Sequence, residues 1–91
     1  LDRAIDLAPN THAYHNLRGV ASFKLKDYAR AALDFQRALD IDKGSAVDLA
    51  NLGLCHKHLG EKLKAIELLH AGLELDPGLD FARKELADLL Q

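Results

Sequence analysis

The chain has 91 residues, 48% hydrophobic and 29% charged, which suits one small folded domain and argues against a disordered segment. Twelve Lys and Arg against fourteen Asp and Glu leave a formal charge of −2, so a general electrostatic grip on nucleic acid is not expected. No apolar run nears the roughly 20 residues a membrane-spanning helix needs, so membrane insertion is not expected either. A single cysteine excludes an internal disulfide. The opening Leu1-Asp2-Arg3-Ala4 shows no signal-peptide pattern and no initiating Met, so the chain reads as a segment of something longer, with a cytoplasmic setting favoured.

A step of 34 residues superimposes the chain on itself without a gap: Ala4-Ile5-Asp6-Leu7-Ala8-Pro9 falls on Ala38-Leu39-Asp40-Ile41-Asp42-Lys43, then on Gly72-Leu73-Glu74-Leu75-Asp76-Pro77. The predicted elements follow that step. The first is a helix near 1–8, stopped by Pro9, whose Ile5 and Leu7 lack a covering partner and form a candidate sticky edge. A second helix, near 12–25, has Thr11 or Asn10 available as its N-cap. The third, near 28–41, places Tyr28, Ala31, Ala32, Phe35, Ala38 and Leu39 on one stripe of a 3.6-residue period. Ser45 opens the fourth, near 46–59, which is apolar on two faces: Val47, Ala50 and Leu54 on one, Leu49, Leu52 and Gly53 on the other. Such a helix is covered on two sides. Gly60 suits the left-handed turn that closes it. The matching residue one repeat earlier is Lys26, where that conformation would cost on the order of 1 kcal/mol. The fifth helix, near 62–75, repeats the stripe with Ala65, Ile66, Leu69, Gly72 and Leu73, and Pro77-Gly78 makes the turn into a sixth near 80–90. Nothing alternates with period two, so no strands are expected.

The small residues have a packing logic. Gly19 or Gly53 on one helix and Ala31 or Ala65 on the next let two axes approach, and Phe35 and Leu69 fill the space left between units. Ala31→Leu is expected to overpack that contact by typically about 1–3 kcal/mol.

On Gly19, Ala31, Phe35 and Ala38 in one unit, and Leu52, Gly53, Gly60, Ala65, Leu69, Gly72 and Pro77 in the next, the chain resembles the tetratricopeptide repeat (TPR) family. His15 and Leu49 stand at the usual large-aromatic position, Ser22 and His56 at the usual tyrosine, and Lys43 at the usual proline. The resemblance implies an all-α, right-handed superhelical stack of helix–turn–helix units in a single domain, 1–91. Within it, 1–11 ends a preceding repeat, 12–45 and 46–79 are repeats, and 80–91 is a cap or the next first helix.

Candidate chemistry is weak. His12 and His15, three apart, share a helix face, but no carboxylate or cysteine nearby in sequence completes a metal site, and none is expected. His56 and His58 diverge by about 200° on a helix; His56 is expected to be packed and hydrogen-bonded, and His70 solvated. Cys55 precedes His56, yet adjacent helical residues do not face each other. Cys55 aligns with Ala21, an expected inward position, and reads as a small buried hydrophobe. Glycines do not cluster into a phosphate loop, and no paired carboxylate stands out. Neither catalysis nor a cofactor is expected.

The resemblance also implies a concave surface lined by the first helix of each unit. Its positions are Ala13, Asn16, Leu17, Val20, Phe23 and Lys24 in the first unit, and Val47, Ala50, Asn51, Leu54, Lys57 and His58 in the second. Phe81, Lys84, Glu85 and Asp88 follow from the last helix. Val20, Phe23, Leu54 and Phe81 would form an apolar stripe, Lys24, Lys57 and Lys84 cationic rims, and Asn16 and Asn51 bonds to a peptide backbone. Chaperone-tail binders of the family clamp a terminal carboxylate with Lys and Asn at the fifth and ninth positions; Asn16 and Val20 stand there, so that clamp is not reproduced. The expected function is non-catalytic binding of a protein or peptide in the groove. The alternatives are an assembly element, self-associating into a homo-oligomer or docking within a larger parent, and an accessory domain delivering substrates to an enzyme elsewhere in that parent. Leu54→Glu is expected to abolish partner binding while sparing the helices.

Overall fold

The computed structural model describes residues 11–91, which form five α-helices: α1 (His12–Lys24), α2 (Tyr28–Ile41), α3 (Ala46–His58), α4 (Lys62–Leu75) and α5 (Asp80–Leu89). Among the described residues there is no strand. The predicted helix near 1–8, with Ile5 and Leu7, lies outside them.

Local chemistry sets the helix starts. Thr11 Oγ1 accepts from the Tyr14 N–H at 3.2 Å, Asp27 Oδ1 from the Arg30 N–H at 3.2 Å, and Ser45 Oγ from the Asp48 N–H at 3.3 Å. The ends of α1 and α3 share one closure. The Asp27 N–H reaches back to Ser22 O at 2.9 Å, and the Glu61 N–H to His56 O at 2.8 Å. Both loops therefore pass through a left-handed residue, Lys26 at φ 65° and Gly60 at φ 83°. The turns joining α2 to α3 and α4 to α5 also match: Asp42 Oδ1 accepts from the Gly44 N–H and Asp76 Oδ1 from the Gly78 N–H.

Each helix packs against the next in sequence, building an elongated body of 44 × 25 × 19 Å. The crossing points are where the small residues stand. A Cβ on Gly19 would lie 2.8 Å from Cε1 of Phe35, and one on Gly53 would lie 3.0 Å from Cγ of Leu69. Ala31 and Ala65 are fully buried beside them. Among the described residues the core falls into two clusters. Ala31, Phe35, Leu39, Leu52 and Cys55 join α2 to α3, and Ala50, Leu69 and Ala82 join α3, α4 and α5. Thus α3 is covered on two faces, as its composition requires. Phe35 serves both its own hairpin, against Gly19, and the seam with the next one.

The inward expectation for Ala21 is corrected. Ala21 is exposed while Cys55, one step of 34 later, is fully buried. The seam with α2 covers Cys55; among the described residues no helix lies on that side of α1.

Candidate functional site: the concave face

Helices α1, α3 and α5 are alternate members of the antiparallel series and lie side by side, so their outward residues make one surface. Two polar bridges tie these rungs together. Asp48, fully buried in the first turn of α3, is held from α1 by His12 Nε2 on Oδ2 and by Asn16 Nδ2, which donates to Oδ1 at 2.6 Å. On the other side of α3, Lys57 Nζ donates to Glu85 Oε1 of α5. Sealing a carboxylate away from water is costly unless hydrogen-bond donors meet it. The two donors from α1 do so, and they fix α1 against α3.

These bridges sort the predicted groove residues. Asn16 Nδ2 is engaged by Asp48 and Lys57 Nζ by Glu85, so each is held in place by a neighbouring helix and has only part of its hydrogen-bonding capacity left for the groove. Ala50, placed in the groove on sequence grounds, is fully buried against Leu69 and Ala82. That placement is corrected: its side chain belongs to the seam between α3 and α5. Leu54 is half-buried and leans on the same cluster. Leu54→Glu would therefore disturb packing as well as the surface, and is a poor probe of binding alone. Val47 and Phe81 are open, at 44% and 39% exposure, near the starts of α3 and α5. Lys84 is exposed, as is Lys24.

Four predicted residues do converge. Val20, Phe23 and Lys24 from α1 and Asn51 from α3 surround a hollow of about 120 Å³, with Phe35 of α2 also lining it. The Phe23 ring is braced edge-on by Tyr28, with centroids 5.1 Å apart, and by His58 at 5.5 Å. Tyr28 and His58 stack on each other at 4.2 Å. His58 is thus a wall of the aromatic group rather than a free imidazole. Among the described residues, the Asn51 amide and the Lys24 ammonium have no hydrogen-bond or ion-pair partner.

Away from the groove, sequence reasoning missed a second buried carboxylate. Asp34 of α2 is 1% exposed, with Arg18 Nε at 3.5 Å and His15 Nδ1 at 4.0 Å from Oδ1. The latter is too long for a hydrogen bond, and His15 Nδ1 and Asp34 Oδ2 are buried without a partner. The hydrogen bond to Tyr14, and then the Asp34 charge, raise the pKa of Arg18 above its ordinary value. At the corresponding positions of the next repeat stand Leu49, Leu52 and Leu68, so one seam is polar where its copy is apolar.

No nucleophile–base pair forms at Cys55. Burial pushes its thiol up to about 12, while His56 turns away to Glu61, Nδ1 to Oε1 at 2.5 Å. Among the described residues, no three His, Cys, Asp or Glu lie close enough to hold a metal ion. No described helix is long and apolar enough to cross a membrane.

Paired antiparallel helices in register at 34 residues, crossing at Gly19 and Gly53 and exposing a lined concave face, define an α-solenoid built from helical hairpins. Sequence profiles described as Tetratricopeptide repeat match residues 1–46 and residues 49–79. The chain belongs to the tetratricopeptide repeat family. It is 30% identical over 87 residues to Sperm-associated antigen 1 of Mus musculus, covering 96% of this chain and 10% of that protein. It is 31% identical over 85 residues to the Hsp70-Hsp90 organizing protein of Triticum aestivum, covering 93% of this chain and 15% of that one. The chain therefore spans a small fraction of the curated relatives it matches. In fold it is similar to the first TPR of Spaghetti (RPAP3), solved bound to the HSP90 peptide SRMEEVD. The TM-score is 0.88 at 24% identity, over 99% of this chain and 71% of that one.

Proposed function

We propose that the concave face of α1, α3 and α5 binds a segment of a partner protein, with no chemistry of its own. The observation that carries this reading is the hollow between α1 and α3, where apolar walls from Val20 and Phe23 meet the unpartnered Asn51 amide and Lys24 ammonium. An apolar recess gives affinity, and the polar groups at its mouth give register to an extended chain. The HSP90 peptide carried by the similar RPAP3 domain supports a peptide as the class of ligand. The residues at the fifth and ninth positions, Asn16 and Val20, do not supply a terminal-carboxylate clamp, and Asn16 is already engaged by Asp48. An internal segment is thus the better fit.

The test is selection of binders from a random peptide library on the wild-type chain, followed by affinity measurements on Val47→Asp and Phe81→Asp. Both side chains are open enough for the fold to tolerate the change, and each variant is expected to weaken selected peptides about tenfold or more. Unchanged affinity in both would remove the groove reading. The assembly reading rests on exposed leucines outside the groove, Leu63 at 82% and Leu90 at 65%. Sedimentation across a wide concentration range decides it, since a monomer throughout excludes self-association.

A further inference from the structure

We propose that the groove is charge-polarised along its length and selects a segment that seats one aliphatic side chain between α1 and α3 and sets an internal carboxylate beside Lys24. The inference rests on the groove reading above and adds the chemistry of the ligand.

The hollow sets the anchor. At about 120 Å³, with Val20, Phe23 and Phe35 on its walls, it is smaller than the roughly 150 Å³ apolar cavity that holds a benzene ring. A branched four-carbon side chain fits within that volume. Bracing of Phe23 by Tyr28 and His58 fixes that wall before any ligand arrives, which lowers the cost of ordering on binding.

The charges set the direction. Lys24, in the last turn of α1, lines the hollow and has no carboxylate partner among the described residues. The nearest acid in sequence, Asp27, is turned to its own helix, capping the Arg30 N–H and lying 3.7 Å from Arg30 Nε. Further along the groove the positive charge is accompanied by acids: Lys57 is bound by Glu85, and Lys84, which makes no ion pair among the described residues, stands one turn from Asp88 on α5. An acid on the ligand is therefore attracted to Lys24 at the α1 end, while at the other it meets Glu85 and Asp88 beside Lys84, with no net positive charge. The amide of Asn51, between the two, is placed to bond the ligand's backbone.

The experiment uses N-acetylated, C-amidated nonapeptides of alanine and glycine carrying one central leucine. A residue two positions away, on either side, is glutamate, glutamine or lysine. A further peptide keeps the better-placed glutamate and replaces leucine with serine. Titrated against the wild-type chain at low salt, the better-placed glutamate peptide is expected to bind roughly two- to fivefold more tightly than the glutamine one, as for an exposed ion pair, and the lysine peptide more weakly still. The serine peptide should lose about tenfold or more. Lys24→Glu should invert the order of the glutamate and lysine peptides, Lys62→Glu on α4 should not, and 0.5 M salt should narrow the spread.

Equal affinity for the three charge variants, no inversion in Lys24→Glu, or no loss with serine overturns the proposal. So does tighter binding of free-acid SRMEEVD than of every capped leucine peptide, and so does no binding of the leucine–glutamate peptides at all. If library-selected peptides still depend on Val47 and Phe81 in any of those cases, the groove reading stands and only the polarity falls.

Discussion

Replacing Gly19 with alanine sets two effects of opposite sign against each other. In a helix interior Ala is favoured over Gly by about 0.8–1.0 kcal/mol. Against that, the new Cβ would lie 2.8 Å from Cε1, 2.9 Å from Cδ1 and 3.0 Å from Cζ of Phe35. The ring is 1% exposed and clustered with Ala31, Leu39, Leu52 and Cys55, and the hollow it lines is the room it has to move into. Either the ring leaves its rotamer or α1 and α2 separate, at a cost of typically about 1–3 kcal/mol. The net expectation is a loss of roughly 1 kcal/mol, seen as a fall in Tm of about 4–8 °C per kcal/mol for a domain of this size. Urea and thermal unfolding followed by circular dichroism measure it. Two further variants assign the cause. Phe35→Leu in the Gly19→Ala background should be less damaging than the two single losses added together, with a coupling of about 0.5 kcal/mol or more. Gly44→Ala, whose Cβ would meet nothing closer than 3.7 Å, should change stability little. A Gly19→Ala variant more stable than the wild type would refute the close-approach argument, because helix propensity alone predicts that outcome.

Three other outcomes follow from the same geometry. Lys26→Gly should stabilise the chain by up to about 1 kcal/mol, since Lys26 holds the left-handed φ of 65° that Gly60 adopts without strain; urea midpoints of the two proteins compare directly. Asn16→Ala removes a charge-assisted donor from a fully buried carboxylate and should lower stability by roughly 1.5–3 kcal/mol in equilibrium unfolding. Cys55, its thiol pushed up to about 12 by burial, should resist alkylation in the native chain at pH 8 and react once unfolded. Because its folded value is raised, the unfolded chain ionises first. Its contribution is intact below about pH 8.5 and is lost between there and about 12, at most about 1.4 kcal/mol per pH unit. Comparing pH-dependent unfolding of Cys55→Ala with the wild type isolates that slope.

The fold was legible because it is written in local and periodic signals. Short oxygen side chains at Thr11 and Ser45, the 34-residue step, and the small residues at Gly19 and Gly53 each act within a turn or across one hairpin, and the five described helices end within one residue of their predicted bounds. The site was legible only in outline. Val20, Phe23, Lys24 and Asn51 meet at one hollow, but the partners of Asn16 and Lys57 lie 32 and 28 residues away in sequence. Asp34 and Asp48 escaped notice for a related reason. A carboxylate on a helical stripe reads as a solvated residue, and the 34-residue counterparts of these two, Leu68 and Tyr14, give no hint of a buried charge. Ala50 failed differently: family register assigns a position to the groove, whereas the closeness of α5 decides which side chain it seals in.

The Asp48 bridge makes the order of the hairpins part of the code. In a tandem copy of 46–79 spliced directly after itself, the second Asp48 would face Ala46 and Ala50 instead of His12 and Asn16, a buried anion opposite two methyl groups. At the α3–α5 junction Ala50 meets Ala82, a neutral match. Shuffled arrays of these hairpins should assemble in some sequences and not in others, each junction accepting only the neighbour whose first-turn residues complete it.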